Sequence, residues 1–135
     1  MASPLFDRSA LKIKNLCERH HDLDLSVVLD LESFVPSNVR EEMSSVARNM
    51  LFARERGSSI ILMMGGHVIR AGVQKFIMDL MSRGLINCLV MNGAGVIHDF
   101  EFAMIGATTE SVARYIKTGE FGLWKETAQL NDIIN

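Results

Sequence analysis

Cysteine is scarce in this chain. Its 135 residues contain two, Cys17 and Cys88, in no metal-binding or redox spacing. That usage fits a reduced, cytoplasmic chain. Cys88 lies within an apolar run and reads as a small buried hydrophobe. Long hydrophobic runs are missing as well. None approaches the roughly 18 residues that span a bilayer, and "MASPLFDRSALKIKN" lacks the apolar centre of a signal peptide. Charge of one sign is not in excess, the formal net charge being −2. Neither nucleic acid nor a membrane is therefore the expected partner. Low-complexity segments and clear repeats are also missing.

What the chain does have is apolar content, 48% of its residues, at a length typical of roughly one domain. Residues 1–36 are weakly patterned and read as an N-terminal extension or sheet-edge segment. There "SALKIKNLCERHHD" suggests a short helix, "LDLSVVLDL" a short strand, and "HHDLD" a solvated turn. Pro36 and Ser37 mark a break. Residues 37–135 carry sharper signals. Ser37 is a candidate N-cap. Val39, Met43, Val46, Ala47, Met50 and Leu51 then recur at helical spacing up to Gly57. "SSIILMM" and "INCLVM" are apolar runs of strand length, as in parallel strands covered on both faces. Between them "VQKFIMDLMSRG" reads as a helix closed by Gly84. After them come "VIHDFEFAMIG" as a helix, "TTESVARYIKTG" as a helix capped by Thr108 or Thr109 and stopped by Gly119, and "LWKETAQLNDIIN" as a last helix. Trp124 reads as packing and Lys125 as surface. The nine methionines read as adaptable core filling. Strands alternating with helices predict an α/β fold with a Rossmann-like parallel sheet. Two or three strands are thin for such a sheet. The N-terminal segment or a partner chain would complete it.

Ligands of open parallel sheets bind outside the carboxyl ends of the strands. Two glycine-rich turns lie at such ends, "MMGGHVIRAG" and "MNGAGVIHDF". Glycine there lets the backbone approach a ligand, and a following helix N-terminus offers N–H groups to a phosphate. Neither turn has the G-x-G-x-x-G spacing or a G-K-[ST] ending. A plain tight turn is the equal alternative for each. His67 and His98 follow the turns, and on neighbouring strands they would face one cleft as hydrogen-bonding or acid–base groups. Capping or packing histidines are the alternative. Arg70 would pair with a phosphate or lie at the surface. Asp99 and Glu101 suit the positive end of a helix dipole. The H-D-x-E spacing is no strong metal pattern.

The segment "GGHVIRAGVQKFIMDLMSRGLINCLVMNGAGVIHDFE", followed by "TTESVARYIKTGEFGLWKET", resembles the deoxyhypusine synthase family, especially its bacterial and archaeal synthase-like members. The resemblance covers about residues 37–130, the N-terminal half only. It implies a Rossmann-like sheet, possession of NAD and transfer of an aminobutyl group from spermidine. The family's S-N-L-I-S-S-G turn aligns with Gly66–Gly72. Its T-A-G-G-V-E-E-D turn aligns with Asn92–Asp99, where Ile97 and His98 replace the two glutamates. By this resemblance Gly65, Gly66, His67, Arg70, Asn92, Gly93, Ala94 and Gly95 would hold NAD. His98 and Asp99 would face the reacting group, a small amine. The family's catalytic lysine lies in a W-G-K motif of a C-terminal half, and "LWKE" at Trp124–Lys125 is not its equivalent. The chain therefore reads as an incomplete half of the family's domain, joined to a missing C-terminal half or to copies of itself in a homo-oligomer. The alternative is a non-catalytic binding or assembly module that keeps the fold.

Overall fold

The computed structural model describes residues 7–33 and 41–134. They fall into two units, Ser26–Asp99 and Met1–Leu25 with Phe100–Asn135. The boundary expected at residue 36, the Ser37 cap and Val39 lie outside the described residues.

In the Ser26–Asp99 unit, helix α1 is Glu41–Glu55. Glu41 and Glu42 sit in its first turn and Arg54 in its last, as the helix dipole favours. Strand β2 is Ile61–Met64 and strand β3 is Cys88–Met91. They pair in parallel, with Ile61 opposite Cys88 and Met63 opposite Val90. The connection runs through α2, Gly66–Arg70, and α3, Gln74–Ser82. The parallel βαβ unit expected from the two apolar runs is thus present. The first glycine-rich stretch, however, is not a simple turn, because "GHVIR" winds into α2. The expected stops Gly57, Gly84 and Gly119 all have positive φ.

Coverage of the sheet differs from expectation. Leu62, Met64, Leu89 and Met91 are partly covered, whereas Ile61, Met63, Cys88 and Val90 on the opposite face are exposed, Met63 at 75%. Cys88 is therefore an exposed thiol, not a buried hydrophobe. The methionines are not uniformly core either, since Met43, Met63, Met78, Met81 and Met104 are exposed. For Met63 and Cys88 the strand gives the reason. Alternate residues of a strand face opposite ways, and within this unit only one face of β2–β3 is covered.

The other unit holds a second, antiparallel pair. Strand β1, His21–Asp24, pairs with β4, Ala107–Glu110, with His21 opposite Glu110 and Leu23 opposite Thr108. "HHDLD" is thus strand, not a solvated turn. The strand expected in "LDLSVVLDL" gives way to a 3₁₀ turn at Leu25–Val27. The helix expected in "SALKIKNLCERHHD" is replaced by 3₁₀ turns at Arg8–Ala10 and Leu16–Glu18. The Lys14 carbonyl accepts from the Lys125 N–H at 3.0 Å, which holds this stretch extended against Trp124. Thr108 and Thr109 cap no helix. They lie in β4, and α5, Val112–Tyr115, starts after Ser111. Helix α6 is Lys125–Ile134. Leu16, Tyr115 and Trp124 form the core of this unit, the two rings meeting edge to face at 5.2 Å. Trp124 packs and Lys125 is exposed, as expected. Among the described residues no helix is long and apolar enough to cross a membrane.

Candidate functional site

The carboxyl ends of β2 and β3 lie side by side, because Met64 pairs with Met91. Each strand delivers its chain directly into a helix. Gly65 precedes α2, and Asn92 precedes α4, Gly93–Ile105. The two helix starts touch. A Cβ on Gly66 would fall 2.8 Å from His98 Cδ2 and 3.2 Å from the Ala94 carbonyl carbon. Only glycine lets these segments come so close. Around Gly93, by contrast, a Cβ would meet nothing within 4 Å, and Asn92, Gly93 and Ala94 are exposed. The first amides of an α-helix have no acceptor within it, and Gly93 and Ala94, two exposed residues, stand at that position in α4. Asn92 caps the helix, its Oδ1 accepting from the Gly95 N–H at 3.0 Å.

Arg70 lies in the last turn of α2. It is half-buried, and its Nε has no hydrogen-bond acceptor among the described residues. A guanidinium with a donor to spare is suited to a phosphate. No carboxylate stands at the end of β3, where dinucleotide sites commonly hold the ribose; Asn92 occupies that place.

His98 and Asp99 diverge. His98 is half-buried against Gly66. Asp99 is exposed and lines a cavity of about 150 Å³ beneath the sheet, together with Met64, Ile69, Gln74, Ile77 and Met91. His67 is exposed on α2. The two imidazoles thus sit in different surroundings. Among the described residues no group of three His, Cys, Asp or Glu side chains is arranged to hold a metal ion.

Residues 44–134 match the family described as arginine dihydrolase ArgZ-like, C-terminal, Rossmann fold. The chain belongs to this ArgZ-like Rossmann family. The match includes β2, β3 and both helix starts, so the parallel pair is the ArgZ-like Rossmann core. The chain is also 27% identical, over 94 residues, to a deoxyhypusine synthase-like protein of Elusimicrobium minutum (strain Pei191). The aligned part is 70% of this chain and 25% of that relative, so the chain spans about a quarter of its length. No solved structure matches the chain.

Two features of this ArgZ-like chain escaped the sequence. Glu101 does not serve a helix dipole. It lies well inside α4, 2% exposed, and takes both Nη atoms of Arg19. Arg19 itself gave no signal, since "CERHH" reads as solvated surface. The second is Gly72, whose φ of +76° and contact with Val27 fix the turn after α2. Its Cβ position lies 1.9 Å from the Val27 carbonyl oxygen, and its own carbonyl accepts from the Leu29 N–H at 2.8 Å.

Proposed function

We propose that this chain supplies the dinucleotide-binding portion, with NAD as cofactor, of a transferase of the deoxyhypusine synthase type. The observation that carries the reading is the contact at Gly66. It brings two helix starts together at the ends of two parallel strands and leaves Gly93 and Ala94 exposed. Arg70 supports it as a cation within the first glycine-rich stretch, its Nε without an acceptor among the described residues. The name of the Elusimicrobium minutum relative supports the transferase class. In this reading Gly65, Gly66, Gly93 and Ala94 receive the diphosphate, and His67 and Arg70 flank it. Gly95 gives the backbone room beside Met91, and Asn92 holds the helix start. NAD supplies hydride acceptance when bound.

Asp99 is better placed than His98 to meet a small cationic amine, being exposed at the cavity mouth, whereas His98 packs on Gly66 and positions the turn. The lysine that forms the imine in this chemistry has no match in the 135 residues. We assign it to polypeptide outside them. Amide NMR of the labelled chain during titration with NAD tests the site. Gly65, Gly66, Gly93 and Ala94 should shift first. Shifts confined to α6 and the Leu16–Trp124 core would refute the placement.

A further inference from the structure

Asn92 is followed by glycine, and of the chain's asparagines it is the only one. The pair stands where β3 hands over to α4, and both residues are exposed. A side-chain amide next to glycine is open to attack by the following main-chain nitrogen, since no Cβ shields that nitrogen. Three features of this turn favour the attack. The Gly93 N–H stands first in α4, where the helix offers it no acceptor. A Cβ at Gly93 would meet nothing within 4 Å, so a ring closing there has room. The Gly95 N–H donates to Asn92 Oδ1 at 3.0 Å, and that oxygen gains negative charge when the amide carbon is attacked.

Asn87 shows what the next residue decides. It is exposed as well, and its Oδ1 accepts from the Ile60 N–H at 2.8 Å. The residue after it is Cys88, which carries a Cβ and whose N–H is held by the Ile60 carbonyl at 3.3 Å. The oxygen is held alike in both asparagines, but at Asn87 the nucleophile is engaged. We infer that Asn92–Gly93 is a self-modifying site, at which the folded chain converts its own asparagine with water as co-reactant. The Gly93 nitrogen bonds to Asn92 Cγ, the Cγ–Nδ2 bond breaks, and the proton of the attacking nitrogen passes through water to the one that leaves as ammonia. Water then opens the cyclic imide. Opening at Cγ leaves aspartate, which keeps an oxygen for the Gly95 N–H and suits the positive end of the helix. Opening at the main-chain carbonyl leaves isoaspartate, whose extra main-chain carbon parts β3 from the helix start that packs on Gly66.

Peptide mapping by mass spectrometry tests this on the full chain, kept folded at mildly alkaline pH over a time series. Asn92 should convert to a mixture of aspartate and isoaspartate at least about tenfold faster than Asn87. Gly93→Ala places its Cβ in open space, so it should fold and should bring Asn92 down to the rate of Asn87. The wild type should melt lower as isoaspartate accumulates, whereas Gly93→Ala should keep its melting temperature. Asn92 left intact in the folded chain, converted no faster than Asn87, or converted only after unfolding in urea would overturn the inference. So would a Gly93→Ala chain that converts at the wild-type rate.

Discussion

Arg19 and Glu101 form a two-pronged ion pair, Nη1 to Oε1 at 2.8 Å and Nη2 to Oε2 at 2.6 Å, with both side chains almost wholly buried. Thr108 donates its hydroxyl to Glu101 Oε2 at 2.6 Å, and Arg19 Nε donates to His21 Nδ1 at 3.1 Å. The guanidinium also lies 5.6 Å from the centre of the Trp124 ring. The pair therefore joins the N-terminal segment to α4, β4 and the Trp124 core of the same unit. Removing one partner strands the other charge away from water, which costs about 3–5 kcal/mol. Arg19→Met or Glu101→Leu alone should lower unfolding stability by that amount. The two together should recover part of the loss, since the apolar pair removes both partners at once, while Glu110, 4.0 Å from Arg19 Nη1, loses its cation. Denaturant unfolding of the three variants measures it, and an additive double variant would show that the pair does not act as a unit.

His21 makes the same network sensitive to pH. Burial first, and then the neighbouring Arg19 charge, hold its imidazole below the ordinary histidine value of about 6.5. The unfolded chain takes up a proton near that ordinary value, and the folded chain resists it. Stability should be full above that pH and fall as pH drops below it, down to the folded value. The Nδ1 that accepts from Arg19 must stay unprotonated, so protonation also breaks that bond. Melting temperature followed from pH 7.5 to 5.5 should fall for wild type and fall less for His21→Gln. Equal slopes would assign the pH dependence to other groups.

Gly72 and Gly57 share a left-handed backbone but not their surroundings. A Cβ on Gly57 meets nothing within 4 Å, whereas on Gly72 it collides with the Val27 carbonyl. Gly57→Ala should cost only the left-handed strain, about 1–2 kcal/mol. Gly72→Ala should cost clearly more, because backbone must move. Unfolding midpoints that rank the two in the other order would contradict the turn described here.

Gly66→Ala probes the contact of the two helix starts. Overpacking of this kind costs about 1–3 kcal/mol. His98→Ala should relieve part of it by removing the ring at 2.8 Å, but not the Ala94 backbone contact at 3.2 Å. The cost of Gly66→Ala should therefore shrink, without vanishing, when measured in the His98→Ala background. No coupling between the two sites would place His98 away from the turn.

The parallel core was legible because Ile61–Met64 and Cys88–Met91 are apolar runs ended by glycine-rich stretches. A parallel strand announces itself by composition. Strands β1 and β4, "HDLD" and "ATTE", do not, since their pairing is fixed by each other and by the groups around Arg19. Thr109 even adopts φ of +66°, which no propensity for a β-branched residue would suggest. Local pattern also could not tell that a charged residue in "HDFE" is buried, because its partner Arg19 lies far away in the sequence. The methionines read as core because they are apolar, and the exposed face of β2–β3 is a property of the layers around a sheet, not of the strand itself. At the candidate site, the role of Asn92 as a cap and the divergence of His98 from Asp99 were not legible, since both depend on how α4 packs.

Calorimetric titration of the folded chain with NAD tests the central claim most directly, with Arg70→Gln titrated alongside. Saturable binding to one site, weakened in Arg70→Gln, is the predicted result. A folded wild-type chain that takes up no NAD, or an Arg70→Gln chain that binds it unchanged, would contradict the site placed between Gly66 and Gly93.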